Sequence, residues 1–281
     1  MAEITPNSAR LLPGTLFLND SELSRLASLI YHRAGIVVNI QKKEMIFNRL
    51  SRRVQELRLL TFSQYADLLE SKRDHPEWQM FINALTTNLT SFFRESHHFP
   101  ILAEHARQRP NDYRVWCTAA STGEEPCSIA ITLDQAQVSG AKIWASDIDT
   151  EVLARAQTGV YRLGDIQILT MAQKRRYFLR GAGKHRDQVR VKTELLGMIH
   201  YQQINLLDPH WPVPQPFDAI FCRNVMIYFD TETQIRLLER FARSLKPGGL
   251  LFVGHSEHFN HPTLPLRLRG QSVYEHSEVP R

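Results

Sequence analysis

Residues 113–126 read Tyr-Arg-Val-Trp-Cys-Thr-Ala-Ala-Ser-Thr-Gly-Glu-Glu-Pro. The aromatic and β-branched start predicts a short strand over Tyr113–Ala119, and Glu124 to Gln137 reads as a helix. Between them Ala119, Ala120, Ser121 and Gly123 carry little side-chain bulk, so backbone can approach a ligand closely. A strand entering a helix through such a turn is the opening of a doubly wound sheet, whose ligands bind at the carboxyl ends of the strands. The turn is not G-x-G-x-x-G, so a dinucleotide fingerprint is absent, and the same residues also suit a plain helix-starting turn. The next strand, Lys142–Asp147, ends on an acid 24 residues after Gly123. That spacing suits acceptance of ribose hydroxyls. Asp147 also suits a helix cap, a role that falls more simply to Asp149. Turn and acid together favour a ribose-bearing ligand.

Downstream the alternation continues, with a helix over Thr150–Thr158, strands over Ile199–Leu206 and Phe217–Cys222, and a helix over Thr231–Leu245. Pro247-Gly-Gly249 predicts a turn before a strand over Leu250–Val253, and Leu264–Leu268 with Ser272–Glu275 predict a closing antiparallel hairpin. Strands and helices in alternation make an α/β class with a mostly parallel, Rossmann-like sheet. Polar groups fall at successive strand ends: Asp147, then Asn205 with Leu206, then Arg223 and Asn224, with Tyr228 four residues on. About 40 residues, 159–198, interrupt the rhythm and are longer than an ordinary loop. They hold Gly181, Gly183 and a strand-like Gln188–Lys192, so residues 160–198 are expected to form an inserted small antiparallel β subdomain.

Upstream the texture is helical. Helices are expected from Asp20 to Gly35, Lys42 to Arg58, Thr61 to Ser71 and Pro76 to Leu85, so residues 1–85 form a small all-α domain before an 86–281 α/β domain. In the second helix Phe47, Leu50, Val54 and Leu57 share one side, and Lys42, Arg49, Arg52 and Arg53 make a neighbouring stripe. The joining segment, Leu85-Thr-Thr-Asn-Leu-Thr-Ser-Phe-Phe-Arg-Glu95, sets Asn88, Thr90 and Arg94 among apolar anchors. It reads either as a capped linker or as a segment closing over the ligand site.

The charge of the 281 residues sharpens this division. The total is +5, but residues 33–58 carry seven basic and two acidic groups and 173–192 carry eight and one, so the remainder is −7. Two docking surfaces for acidic partners fit this better than a general polycation. A solvated helix face is the plainer reading of the stripe. Three cysteines, 117, 127 and 222, form no C-x-x-C pair and suggest neither disulfides nor zinc; a reducing cytoplasm is expected. The first 20 residues lack a secretory pattern, and no apolar run approaches the roughly 18 residues of a membrane span.

Five strings in this order, LTTNLTSFFRE, ASTGEEP, ASDID, FDAIFCRNVMIYFD and LKPGGLLFVGHSE, closely resemble the bacterial chemoreceptor glutamate methyltransferases of the CheR type. The resemblance runs from about residue 20 to 276 and includes the helical domain and the insertion. It implies the class I S-adenosylmethionine-dependent methyltransferase fold, with S-adenosylmethionine as cofactor and S-adenosylhomocysteine as product. The implied substrates are glutamate side chains of chemoreceptor cytoplasmic domains, giving methyl esters for sensory adaptation. By position in the matching motifs, Asn88, Thr90, Arg94, Ala119, Glu125, Asp147, Asn205, Leu206, Arg223 and Asn224 would line the cofactor site, with Arg94 and Tyr228 nearest the reacting methyl. Resemblance alone prefers Glu125 over Glu124. It also gives the basic patches candidate partners. Lys42, Arg49, Arg52 and Arg53 would dock along an acidic receptor helix, and Arg180, Gly181, Gly183 and Arg190 resemble the members that bind a receptor's C-terminal peptide. A monomeric cytoplasmic enzyme, with no metal, no nucleic-acid partner and no membrane insertion, is the expectation. The alternatives are a nucleic-acid methyltransferase, against which Asn224-Val-Met-Ile-Tyr228 lacks the prolines of an adenine-N6 motif, and a non-catalytic S-adenosylmethionine-binding scaffold.

Overall fold

In the computed structural model, residues 16–109, 111–259 and 263–277 are described; residues 1–15, which include most of the stretch read above for a leader, lie outside them. Chain contacts separate one unit, Met1–Arg33 with Val38–Leu85, from a second, Ala34–Val37 with Thr86–Arg281. The four residues Ala34–Val37 thus group with the second unit, although the sequence reading put them in the first.

The first unit holds helices α1 (Asp20–Ala34), α2 (Lys43–Glu56), α3 (Phe62–Ser71) and α4 (Glu77–Leu85). Thr61 caps α3 by accepting the Gln64 N–H, which explains why the helix begins there. The buried positions of α2 are Ile46, Leu50 and Val54, so Ile46 takes the place expected for Phe47. The basic stripe is largely put to structural use. Arg49 donates to the Ala84 and Leu85 carbonyls at the end of α4, and Arg53 pairs at 2.6 Å with Glu77, itself only 4% exposed. Tyr65 donates to the same Glu77 carboxylate at 2.8 Å. A buried carboxylate requires such partners, so Arg53 is committed to holding α2 against α4. Arg52 and Lys42 remain on the exposed side, Arg52 pairing with Glu56 along the helix, and Lys42 sits in the turn before α2 rather than on it.

The second unit runs α5 (His98–Arg107), β1 (Arg114–Cys117), α6 (Glu124–Gln135), β2 (Lys142–Asp147), α7 (Thr150–Thr158), β3 (Val160–Arg162), α8 (Met171–Tyr177), β4 (Phe178–Arg180), β5 (Gln188–Val191) and α9 (Thr193–Leu196), then β6 (Ile199–Gln203), β7 (Phe217–Cys222), α10 (Thr231–Ser244), β8 (Leu245–Val253), β9 (Leu266–Gly270) and β10 (Val273–His276). Seven strands form one sheet in the order β6-β2-β1-β7-β8-β10-β9. The first five are parallel, and β10 and β9 close the edge antiparallel. The order reverses between β1 and β7, which is where ligands sit in such sheets. One face of β1 points Val115 and Cys117 into the core with α5 and α6; the other points Trp116 into a cluster with Trp211, Phe217 and Phe241 under α10.

The Pro247-Gly-Gly249 segment is not a turn preceding the last parallel strand. Leu245 pairs with Phe217 and Leu250 with Ala219, so six residues of β8 run past three of β7 and the extra residues form a bulge. Proline is tolerated there because a bulged residue has no ladder bond to donate.

The interrupting segment forms its own antiparallel sheet in the order β3-β5-β4, with α8 added, an element the sequence reading did not foresee. Arg176 and Tyr177 of this segment both reach Asp134 on α6 at 2.7 Å. From β3, Tyr161 donates at 3.0 Å to the Thr122 carbonyl, against Gly123. Gly123 has φ +96, and a Cβ there would lie 2.6 Å from the Tyr161 hydroxyl and 2.9 Å from the Ala156 methyl. Glycine is required twice over, by backbone and by space. Gly123→Ala is therefore expected to cost more than about 2 kcal/mol in denaturant unfolding. Gly164→Ala, where an added Cβ meets nothing, is expected to stay within about 0.5 kcal/mol.

Candidate active site

Three loops meet at the carboxyl ends of β1, β2 and β7. Asp147, 7% exposed, closes β2 and accepts the Ser121 N–H at 2.8 Å and the Asp149 N–H at 3.0 Å, one on each carboxylate oxygen. The acid thereby fixes the turn after β1 while keeping lone pairs for a ligand. Asp149 is the α7 cap, as its position suggested, and its second oxygen accepts from Thr86 at 2.7 Å and Asn88 at 2.8 Å. Ser121 in turn donates to the Asn88 carbonyl at 3.0 Å. The 86–95 segment is thus stitched to the ends of β1 and β2. Thr90 and Asn88 border a cleft of about 440 Å³ that also reaches Thr122, Glu124 and Arg155.

Arg223, directly after β7, is the hub of the site. Its guanidinium bonds Glu125 at 2.5 Å, the Arg94 carbonyl at 2.5 Å, and pairs with Glu95 at 3.1 Å. Its side chain is 1% exposed and holds Glu125 and the Arg94 segment in place. Glu125 also accepts from Cys117 on β1 at 3.3 Å. Burial raises the Glu95 carboxyl, but the Arg223 charge, the His255 backbone and Asn224 outweigh it and hold the group below the usual carboxylate range. Of the pair after β6, the Leu206 side chain is buried in the α10-side core and Asn205 is half-buried.

Two carboxylates that organise the site escaped the sequence reading. One is Glu95. The other is Glu257, 3% exposed, which accepts the N–H groups of Gly254 at 2.5 Å, Asn224 at 3.0 Å and Ile227 at 3.3 Å. Burial pushes its carboxyl up, against these N–H groups. It fixes the loop that carries Asn224 and Tyr228, whose carbonyl also accepts the Val37 N–H. An acid shortly after the last parallel strand was the available signal; its value depends on the loop folding back onto it. Backbone strain gathers in the same place. Of nine non-glycine residues in the left-handed region among those described, four border the site: Phe93 (φ 53), Glu95 (φ 51), Ser121 (φ 47) and Asn224 (φ 58). Such conformations cost of order 1–3 kcal/mol each and persist where the surroundings over-determine them.

Arg94 is half-buried, with its guanidinium donating to the Leu89 carbonyl at 2.7 Å. His98 is fully buried, and burial together with Arg223 pushes its imidazole down to about 4, so it is neutral at pH 7. The cysteines are buried; Cys127 is pushed up to about 12 by burial and behaves as a small apolar residue.

Residues 88–274 match the family described as CheR methyltransferase, SAM binding domain, and residues 21–86 match CheR methyltransferase, all-alpha domain. The chain belongs to the CheR methyltransferase family. A chemotaxis protein methyltransferase of Klebsiella aerogenes is 58% identical over 260 residues, covering 92% of this chain and 90% of that one. One of Escherichia coli is 55% identical over 262 residues, covering 92% of each. The CheR fold here is therefore an S-adenosylmethionine-dependent methyltransferase acting in chemotaxis, and S-adenosylmethionine is its cofactor. Its site fits that group: a slim backbone turn, a buried acid at the end of β2 that would accept ribose hydroxyls, half-exposed Ala119 in the turn and half-exposed Asn88 stitched to it, with Asn205, also half-exposed, after β6. Among the described residues no helix is long and apolar enough to cross a membrane.

Two tests follow from this geometry. Burial holds the Asp147 carboxyl up at about 6, so in the free enzyme it gains a proton, and loses acceptor capacity, as pH falls through that value. S-adenosylmethionine affinity should therefore drop below about pH 6 in calorimetric titrations, and Asp147→Asn should weaken binding and remove the inflection. The raised pKa also means that the folded form favours the protonated acid, so its contribution to stability declines as pH rises from 3.8 through about 6. Arg223→Met leaves two carboxylates without their buried partner and is expected to cost about 3 kcal/mol or more in unfolding experiments.

Proposed function

We propose that this enzyme transfers the methyl group of S-adenosylmethionine to glutamate side-chain carboxylates of chemoreceptor cytoplasmic domains, forming γ-glutamyl methyl esters in the cytoplasm as a monomer. Arg94 carries this reading: a half-buried planar cation held beside the strand ends by Arg223 through its backbone and by Leu89 through its side chain. The cofactor supplies an already activated sulfonium methyl group. A glutamate carboxylate is ionised at pH 7 and attacks in line without a general base. What the protein must supply is alignment and exclusion of water. Arg94 orients the incoming carboxylate through its fork of donors. Sharing that guanidinium with the Leu89 carbonyl moderates the pairing and spares the nucleophile. Tyr228, on the loop caged by Glu257, positions the reacting groups through its hydroxyl.

The exposed Arg52 and Lys42 are proposed to meet the acidic receptor helix, with Arg49 and Arg53 supporting them from structural positions. In the insertion, Arg180 and Gly181 lie at the end of edge strand β4 with Gly183 in the turn beyond, where a receptor tail peptide would add as a further strand. Arg190 is on the central strand β5, its partners Val160 and Leu179 already in place, so only its exposed side chain is available to such a peptide.

Radiolabelled S-adenosylmethionine offered with receptor cytoplasmic fragments or with nucleic acid tests the reaction. Base-labile volatile methanol should come from the protein substrate alone. Arg94→Ala should lower turnover by about 100-fold or more with a melting temperature close to wild type, whereas an unchanged methylation rate would remove the assignment. Arg52→Glu should raise KM for the receptor fragment and leave S-adenosylmethionine affinity unchanged.

A further inference from the structure

Beside the methyl-transfer residues lies a group of atoms that the reaction does not use. His98 is fully buried, and its Nε2 lies 2.8 Å from the Gln271 carbonyl oxygen. A carbonyl only accepts, so Nε2 bears the proton and the neutral ring presents a lone pair at Nδ1. That lone pair faces Glu95 Oε2 at 3.8 Å; Nδ1 has no hydrogen-bond partner, while Oε2 is ion-paired with Arg223. Two buried acceptors thus face each other with no proton between them. The His97 ring packs edge-on against His98 with centroids 4.3 Å apart, and single ligand atoms from Glu95, His97 and His98 all lie within 4.8 Å of one another.

These distances suit a transition-metal ion. Two ligands each about 2.0–2.2 Å from zinc are at most about 4.4 Å apart, so the His98–Glu95 pair already meets the span and the half-buried His97 closes by under about 1 Å. The Nε2–H bond to a backbone carbonyl is the contact that a metal-binding histidine ordinarily makes to fix its tautomer. Charge points the same way. Arg223, 3.1 Å from Glu95 Oε2 and 2.5 Å from Glu125, is one cation shared by two buried carboxylates, which leaves a net negative charge for a dication to offset.

We propose that Glu95, His97 and His98 form a binding site for a divalent transition metal of the zinc class, and that its occupancy slows methyl transfer. Glu95 also accepts from Asn224 at 3.2 Å and pairs with the arginine that holds the Arg94 carbonyl. A metal drawing on Glu95 therefore loosens both walls of the reacting centre.

Titration of the full chain with cobalt chloride, followed by displacement with zinc chloride, tests this without any turnover. One equivalent should bind, with a visible d–d spectrum of a nitrogen–oxygen site, and His97→Ala should weaken binding by ~10-fold or more. In methylation assays zinc should slow the wild type and spare His97→Ala. Absence of saturable one-equivalent binding, or a His97→Ala protein that titrates like wild type, overturns the site. One-equivalent binding that leaves the wild-type rate unchanged overturns the inhibition.

Discussion

The site depends on one buried guanidinium. Arg223 leaves the end of β7 and ties Glu125 at the start of α6 to Glu95 and the Arg94 carbonyl in the 86–95 segment. A charge this deep is costly unless every partner is in place, because desolvation outweighs any single Coulombic contact. Its partners are supplied by two segments far apart in sequence. Once they are, the backbone of Arg94, the residue proposed to orient the substrate, is pinned. Strain at Phe93 and Glu95 is the backbone's share of that arrangement.

A second constraint works on the opposite wall. Glu257 gathers N–H groups from Gly254, Asn224 and Ile227, so the loop bearing Asn224 and Tyr228 is pinned by a buried carboxylate. Gly254 permits this, since a Cβ there would come within 2.5 Å of the Asn224 amide. Asp147 does the same for the turn after β1. The pattern is a set of buried acids organising the backbone around the site, with Asp147 keeping lone pairs for a ligand besides. Preorganisation of this kind suits a reaction whose chemistry is activated by the cofactor and whose remaining requirement is alignment.

The insertion belongs to the same logic at longer range. Tyr161 from β3 packs on Gly123, and Arg176 with Tyr177 from α8 hold Asp134 on α6. The helix that carries Glu125 is thus braced at its start by the small sheet and near its end by α8. A module proposed to recognise a partner peptide is in this way physically joined to the helix that supports the active site.

Much of this was written in the sequence. Strand and helix alternation, the small-residue turn at 119–123 and the acid closing β2 are local signals, and each depends on neighbours within a few residues. Periodicity placed α1 to α4 and α10 within a few residues of their ends for the same reason. Tertiary structure alone decided which charges are used inside. Arg49 and Arg53 looked like one stripe with Arg52, yet α4 brings Glu77 and two helix-end carbonyls to them and removes them from the surface. Pro247-Gly-Gly249 carried the signature of a turn and became a bulge, because pairing of Leu245 with Phe217 lies across the sheet and out of sequence reach. Glu95, Glu257 and the buried state of Arg223 were hidden likewise: a side chain's chemistry is local, but its desolvation and its partners belong to the fold.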